Sequence, residues 1–411
     1  MEKNSLKNSM YNVSLELDGE AFIYNTLTDN FVINNSASDD LLEIGDADTI
    51  RQLEQGGFCV DGNIDENSLL FYSFEVARFN SGITSVFIVP SMLCNLDCEY
   101  CFIKDKNSSR MSYETANQLV KFIYSLSRST NQIEIIWAGG GEPLAAADII
   151  IYAEEKLRRL VKIPITSTII TNGTLLDETT AHKLKDAGIS RIVITIDGPA
   201  DIHNKRRRLK SGADCFALIK ENIVKNSGLF EFVVRMVVDN GNDPYIEDLL
   251  AALRDIPDIK FTLMHQMECG ANCSQYSFTK GSCLRMLKCS DEHKECYWGG
   301  IKPYLSLCNA LRNSDFIVNV DGGIFKCLVE LNDEKYSVGN IWESIKVNAN
   351  YLKWLTYAPE YANENCPHCR YFPICSSLCA KVHRKFISDF GCEQLQEMFN
   401  EIIKNKIKKW M

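Results

Sequence analysis

Long hydrophobic runs are absent from this 411-residue chain. None approaches the roughly 20 apolar residues that a spanning helix needs, so no membrane segment is expected. An excess of positive charge is lacking too. Lys+Arg 44 against Asp+Glu 54 leaves a net charge of -10, the wrong sign for gripping phosphates, and no nucleic-acid partner is expected. The opening Met1-Glu2-Lys3-Asn4-Ser5 leads into polar residues, so no secretory signal is expected and the expected compartment is the cytoplasm. Between Lys7 and Arg51 no basic residue occurs, against nine acids, which makes the N-terminal segment distinctly anionic.

Cysteine, by contrast, is in surplus. Seventeen cysteines in a reducing compartment point to metal ligation in preference to disulfides, and an odd count cannot pair completely within one chain. Their distribution is uneven: five lie in the first 268 residues and twelve between Cys269 and Cys392. At 411 residues two or three domains are expected.

Before the first cysteine motif, Tyr11–Leu17, Ala21–Asn25 and Asn30–Asn34 read as short strands of a meander, with a helix around Asp46–Gln55. A small α+β module is expected over residues 1–84. From residue 85 to 268, β-branched apolar runs at Val86–Val89, Ile133–Trp137, Ile163–Ile170, Arg191–Ile196, Phe230–Val238 and Ile259–Leu263 alternate with helical stretches. Such alternation predicts parallel strands joined by right-handed crossovers, in either a doubly wound sheet or an incomplete barrel. In both, residues just after each strand gather at the carboxyl edge, where active sites sit. Lys404, Lys406, Lys408 and Lys409 read as the solvated face of a terminal helix.

Directly after the first of these strands comes Cys94-x3-Cys98-x2-Cys101. A structural zinc site wants four protein ligands, so three thiolates with no His in the loop fit better a cubane cluster that keeps one iron open. This spacing, with the aromatic Tyr100 before the third cysteine, resembles the signature of the radical S-adenosylmethionine superfamily. The resemblance implies a [4Fe-4S] cluster on Cys94, Cys98 and Cys101 that cleaves S-adenosylmethionine to a 5′-deoxyadenosyl radical. It also implies a partial (β/α)6 TIM-like barrel. Ala138-Gly139-Gly140-Gly141-Glu142-Pro143 follows the second strand and lacks the Lys-Ser/Thr of a phosphate loop. It is similar to the superfamily's Gly-Gly-Glu motif, so Gly141 and Glu142 are expected at the methionyl ammonium. Thr195 and Arg207, twelve residues apart, resemble the Ser/Thr and Arg that bind the cofactor in the peptide- and sulfatase-modifying branch. Tyr100 is assigned to the cofactor site with them.

Toward the C-terminus stand Cys308-x13-Gly322-x4-Cys327 and Cys366-x2-Cys369-x5-Cys375-x3-Cys379, then Cys392. Seven cysteines exceed the four that one closed cluster takes and read as two auxiliary iron–sulfur clusters. This order resembles the SPASM module, expected here over 308–411, which brings the cofactor expectation to three [4Fe-4S] clusters. By that resemblance Cys308, Cys327 and Cys379 ligate the nearer auxiliary cluster, while Cys366, Cys369, Cys375 and Cys392 ligate the distal one. The nearer cluster's fourth ligand stays open between Cys296 or another upstream thiol and a substrate thiolate. The bridging region 269–307 carries Cys269, Cys273, Cys283, Cys289 and Cys296 in no assignable pattern, and His265 and His293 beside it read as structural residues.

A primary alkyl radical takes hydrogen from an unactivated C–H bond, so the protein supplies placement, exclusion and a sink for the leftover electron, a task suited to auxiliary clusters. The resemblance implies a peptide maturase that forms a thioether or carbon-linked crosslink on a ribosomally made precursor. The N-terminal module, similar to winged-helix-like peptide-recognition domains, would bind the leader segment, and a flavodoxin or ferredoxin would act as reductant. One alternative is a sulfatase-type maturase making formylglycine, whose pattern places an Asp after the second auxiliary cysteine, where this chain has Leu328. Another is an iron–sulfur electron-transfer or sensor protein without radical chemistry.

Overall fold

A computed structural model describes residues 6–411 except 35–37, 39, 45, 81, 102, 104–106, 266–278, 294–295, 299–304, 306, 332, 359–360, 362 and 378–382. It divides into two compact units, one of Met1–Arg78, Ile301–Cys308 and Tyr357–Met411, the other of Phe79–Gly300 and Asn309–Thr356.

In the first unit β1 (Leu6–Asn8) lies antiparallel to β5 (Cys59–Asp61), and β2 (Asn12–Leu17), β3 (Glu20–Asn25) and β4 (Asn30–Ile33) form a meander. Its tight β2–β3 turn works because Asp18 and Gly19 both take positive φ, as a two-residue hairpin demands. Helices α1 (Leu41–Ile44), α2 (Ala47–Gln55) and α3 (Glu66–Phe79) complete the module, with Asp46 accepting from the Thr49 amide as the α2 cap.

The second unit is built on a sheet in which β6 (Ile83–Ile88), β8 (Gln132–Trp137), β9 (Ile165–Thr171), β10 (Arg191–Thr195), β12 (Glu231–Val238) and β13 (Lys260–His265) run parallel. They lie in chain order, with no reversal of direction across the sheet. A doubly wound sheet has such a reversal, so the order decides for the barrel type. All six expected strands are present, each within a few residues of its expected bounds. On one edge β14 (Cys296–Trp298) adds parallel to β13, and on the other β15 (Phe316–Val318) adds parallel to β6. From there β16 (Gly323–Phe325), β17 (Gly339–Asn340) and β18 (Ser344–Ile345) continue antiparallel.

The crossover helices are α4 (Tyr113–Leu126), α5 (Ala147–Leu160), α6 (Glu178–Ala187), α7 (Ala200–Arg206), α8 (Phe216–Lys225), α9 (Ile246–Leu253) and α10 (Lys280–Glu292), with α11 (Ala349–Leu355) after the sheet. Short β7 (Leu96–Cys98) and β11 (Arg207–Leu209) pair antiparallel outside it. Apolar helix faces and strand side chains merge into one core that includes Ile88, Ile135, Trp137, Ile169, Ile194 and Val234. Burial on both faces gives β10 its continuous apolar run Ile192-Val193-Ile194, whereas β8 and β9 alternate buried with half-buried residues.

The chain returns to the first unit with α12 (Phe372–Cys375) and α13 (His383–Trp410), the latter broken at Gly391, where φ is 72°. Phe372 packs with Tyr11, Leu70 and Phe74, and Thr26 Oγ1 donates to the Arg370 carbonyl at 2.6 Å. Lys406 turns inward to pair with Asp29, so the terminal lysines are not a uniformly solvated face. Among the described residues no helix is long and apolar enough to cross a membrane.

Candidate active site and cysteine groups

Cys94, Cys98 and Cys101 occupy the loop after β6, each partly buried and outside any disulfide. Two neighbours hold that loop. On one side β11 pairs with β7 so that Arg207 stands opposite Cys98, and the Glu99 amide donates to the Arg206 carbonyl at 3.1 Å. On the other side the glycine turn after β8 is pressed against it: the Gly141 amide donates to Ser91 O at 2.8 Å and the Glu142 amide to Leu93 O at 2.7 Å. A Cβ on Gly141 would stand 2.2 Å from the Leu93 oxygen and one on Gly140 2.4 Å from Val89 Cγ1. Glycine is required there because two backbones touch.

Glu142 is buried, and its carboxylate ties its own turn to the end of β9. Oε1 accepts from Thr171 Oγ1 and from the Leu144 amide at 3.1 Å, and Oε2 from the Asn172 amide at 2.8 Å. Burial raises its pKa, opposed by those donors and by the charge of Arg207. A carboxylate offers about four acceptor positions, so these three donors leave room for one more. Thr171 and Asn172, at the end of β9, thus belong to the site. Asn172 also donates to Asn95 Oδ1 at 2.8 Å, just after Cys94.

Thr195 ends β10 and is buried. Beyond it lies a group of charges that sequence reasoning missed: Asp197, Arg206 and Asp239, with Tyr100 and Arg207. Asp197 is fully buried; its Oδ2 accepts from the Tyr100 hydroxyl and its Oδ1 from the Val237 amide at 3.1 Å. The Tyr100 oxygen in turn accepts from Arg207 Nη1 at 2.5 Å. Arg206 reaches Asp239 with Nη2 to Oδ2 at 2.6 Å, and its guanidinium stacks over the Tyr100 ring at 5.1 Å. The available signal was positional: Asp197 and Asp239 follow the ends of β10 and β12 directly. Both arginines lie in the run Lys205-Arg206-Arg207-Arg208, which as sequence resembles a solvated surface.

Burial disfavours the charge on Arg207, but Cys98, Tyr100 and Asp197 outweigh it and keep the guanidinium protonated. Burial likewise holds the Tyr100 phenol well above its ordinary range, against the pull of Arg207. Arg207 Nε is buried with no hydrogen-bond partner among the described residues. An unsatisfied cationic donor beside a three-thiol loop fits the carboxylate and sulfur chemistry of the expected cofactor and cluster. Behind this layer, His203 Nδ1 accepts from the Asp197 amide at 3.2 Å, and its Nε2 lies 3.4 Å from Cys215 Sγ. Burial lowers the His203 pKa to about 3 and raises the Cys215 thiol to about 11. That pair is neutral packing, and Cys215 is no nucleophile.

In the first unit Cys366, Cys369, Cys375 and Cys392 approach one another closely enough that their charges interact. Cys366 opens a single turn of 3-10 helix, Cys375 ends α12, and Cys392 follows the Gly391 break. Burial first, then Cys369, Cys366 and Cys392, push the Cys375 thiol up to about 12. Among the described residues no three His, Cys, Asp or Glu side chains surround a single ion position. Four thiols in one unit are the donor set that a cubane cluster takes, one to each iron. Cys379, Cys269 and Cys273 lie outside the described residues, as do the side chains of Cys283, Cys296 and His265. Cys308 belongs to the first unit and Cys327 to the second. Cys289 is buried in the core, and His293 pairs with Glu247 at 2.8 Å.

Residues 88–254 match the family model of the radical SAM superfamily. The chain is 31% identical over 178 residues to an uncharacterized protein of Methanocaldococcus jannaschii, a match spanning 42% of this chain and 59% of that protein, less than two thirds of its length. A cysteine-type anaerobic sulfatase-maturating enzyme of Clostridium perfringens is 24% identical over 371 residues, 77% of this chain and 95% of the enzyme. The structure of anSMEcpe with bound AdoMet and Kp18Cys peptide shares the fold with a TM-score of 0.64 at 20% identity, covering 80% of this chain and 99% of that one. That of Streptococcus suis SuiB bound to precursor peptide SuiA does so with a TM-score of 0.58 at 14% identity, covering 91% and 95%. Residues 88–254 thus carry a radical SAM domain, and the chain shares its fold with the anSMEcpe and SuiB structures over 80% and 91% of its length.

Proposed function

We propose that this protein is a radical SAM/SPASM enzyme that abstracts hydrogen from a side chain of a peptide substrate. The observation that carries the reading is Arg207, a buried cation with an unpartnered Nε at the carboxyl edge of the parallel sheet, directly across from Cys98. When bound, a cluster on Cys94, Cys98 and Cys101 supplies the electron that splits S-adenosylmethionine into methionine and a 5′-deoxyadenosyl radical. Arg207 would take the methionyl carboxylate, held in place by Tyr100 and Asp197, with Thr195 beside it. Glu142 would offer its remaining acceptor position to the methionyl ammonium. Gly141 lets its turn pack against the backbone before Cys94 and so fixes the cysteine loop.

Oxidation of a Cys or Ser side chain to formylglycine is the reading supported by the match over 95% of the sulfatase-maturating enzyme. Crosslinking of a ribosomally made precursor, by a thioether or carbon bond, is supported by two other observations. Leu328, which stands where the sulfatase-type pattern has its Asp, packs against an apolar cluster with Val89, Met92 and Phe325. The likeness to the SuiB–SuiA structure also extends over 91% of this chain, against 80% for anSMEcpe. In that second reading the N-terminal module is a winged-helix-like domain that binds a leader segment by strand addition. Auxiliary clusters on the C-terminal cysteines and a flavodoxin or ferredoxin reductant belong to both readings.

Reconstituted protein incubated anaerobically with S-adenosylmethionine and dithionite should release 5′-deoxyadenosine, and Cys98→Ala should abolish release while leaving auxiliary iron. Release that persists in Cys98→Ala overturns the ligand assignment. Tandem mass spectrometry of a co-expressed peptide then separates the two chemistries: loss of two hydrogens shared between two linked residues marks a crosslink, whereas a carbonyl-reactive aldehyde on a single Cys- or Ser-derived residue marks formylglycine.

A further inference from the structure

Two side-chain amides point at the sulfurs of the C-terminal cysteine quartet. Asn363 Nδ2 donates to Cys392 Sγ at 3.4 Å, and Gln396 Nε2 donates to Cys369 Sγ at 3.7 Å. The Asn363 amide cannot simply be turned around, because its Oδ1 already accepts the Asn365 backbone N–H at 2.9 Å. That bond fixes the nitrogen end toward the sulfur. Gln396 lies one helical turn beyond Cys392 and is partly buried, so its amide is offered to the sulfur with limited competition from water. The Tyr371 backbone N–H also favours the Cys369 thiolate. Cys375 has the opposite environment, dominated by burial and by the neighbouring sulfurs.

A side-chain amide is neither a cluster ligand here nor an acid–base group. What an N–H aimed at a cluster thiolate does is electrostatic. The reduced cluster carries one more negative charge than the oxidised one, and a donor at its sulfur stabilises the reduced form more. We infer that Asn363 and Gln396 are positioning donors that raise the reduction potential of a cluster held by Cys366, Cys369, Cys375 and Cys392, making it a better electron acceptor. This rests on the auxiliary-cluster reading above.

The test uses the full-length reconstituted holoenzyme. Iron and labile sulfide are counted, and the midpoint of the distal cluster is read by EPR-monitored redox titration, in wild type, Asn363→Ala and Gln396→Met. Each variant should keep its iron and shift the midpoint to more negative values. At a potential where the wild-type cluster is half reduced, the reduced-to-oxidised ratio should fall about threefold or more, less than the full worth of a hydrogen bond to a charged acceptor because the oxidised cluster accepts it too. Gln396→Glu, with an acceptor where the donor was, should shift it further the same way. Full iron with an unmoved midpoint in both donor-less variants overturns the inference. So does loss of the cluster from both, which would make the amides part of the site's assembly. Cys375→Ala separates the underlying reading: if it costs neither iron nor the distal EPR signal, no cluster sits on this quartet.

Discussion

The basin at the end of the parallel sheet and the C-terminal cysteine quartet both gather thiols, but they are held by different means. Around Cys94, Cys98 and Cys101 the geometry is imposed by the protein: strand pairing of β7 with β11, backbone bonds to the glycine turn, and a buried network through Glu142, Asp197 and Asp239. Around Cys366, Cys369, Cys375 and Cys392 there is a 3-10 turn, a one-turn helix and a residue after a helix break, with Cys392 exposed. The first site is preorganised before any metal arrives. In the second, burial and the neighbouring sulfurs push the Cys369 and Cys375 thiols up, so metal binding must displace their protons and supply much of the order.

The sharpest way to break that comparison is to remove the metal. Hydrogen exchange of the apoprotein should show amides over 363–376 losing about two orders of magnitude of protection relative to the holoprotein, while β6, β8, β9 and β10 stay protected. Equal loss in both regions would refute the contrast. Next in size, Arg207→Lys should lower 5′-deoxyadenosine formation about tenfold or more, mainly through a higher KM for S-adenosylmethionine, because a point charge cannot replace the planar fork shared with Tyr100. Gly141→Ala forces a Cβ against the Leu93 carbonyl and should cost about 1–3 kcal/mol in urea denaturation. A neutral result would mean that the cysteine loop moves freely from the turn.

The smallest effect is a pH dependence. His203 takes its proton at an ordinary 6.5 when unfolded but only near 3 in the fold, chiefly because it is buried. Between those values the unfolded chain holds more protons, so acid favours unfolding. Above 6.5 the ring is neutral in both states and contributes no slope. Stability should therefore fall as pH drops through that window, by at most about 1.4 kcal/mol per pH unit from this residue. Glu142 and Glu154, raised by burial, take up their protons earlier in the fold than in the unfolded chain and so pull the opposite way just above their ordinary value. The difference between wild type and His203→Gln isolates the histidine: chemical denaturation across the range should give a flatter acid limb for the variant.

The barrel strands were legible because a largely buried strand is rich in β-branched and apolar residues, as Ile192-Val193-Ile194 and Phe232-Val233-Val234 are. The cysteine loop was legible because ligand spacing is local. Asp197, Arg206 and Asp239 were not, since an arginine run looks the same whether it faces water or closes over a buried carboxylate. Nor could the sequence show that the N-terminal meander shares a compact unit with the last segment. The bond from Thr26 to Arg370 joins residues 344 positions apart, and no periodic pattern encodes a contact of that range.

At Gly391, φ of 72° and ψ of 160° are a conformation open essentially to glycine alone, although among the described residues a Cβ there would meet nothing within 4 Å. The constraint is thus one of torsion and not of room. His383–Trp410 is in effect two rods sharing a joint, and the direction in which the thiol of residue 392 leaves that joint depends on one absent methyl group. A change that every packing criterion would pass could straighten the joint and strand that sulfur out of reach of the other three.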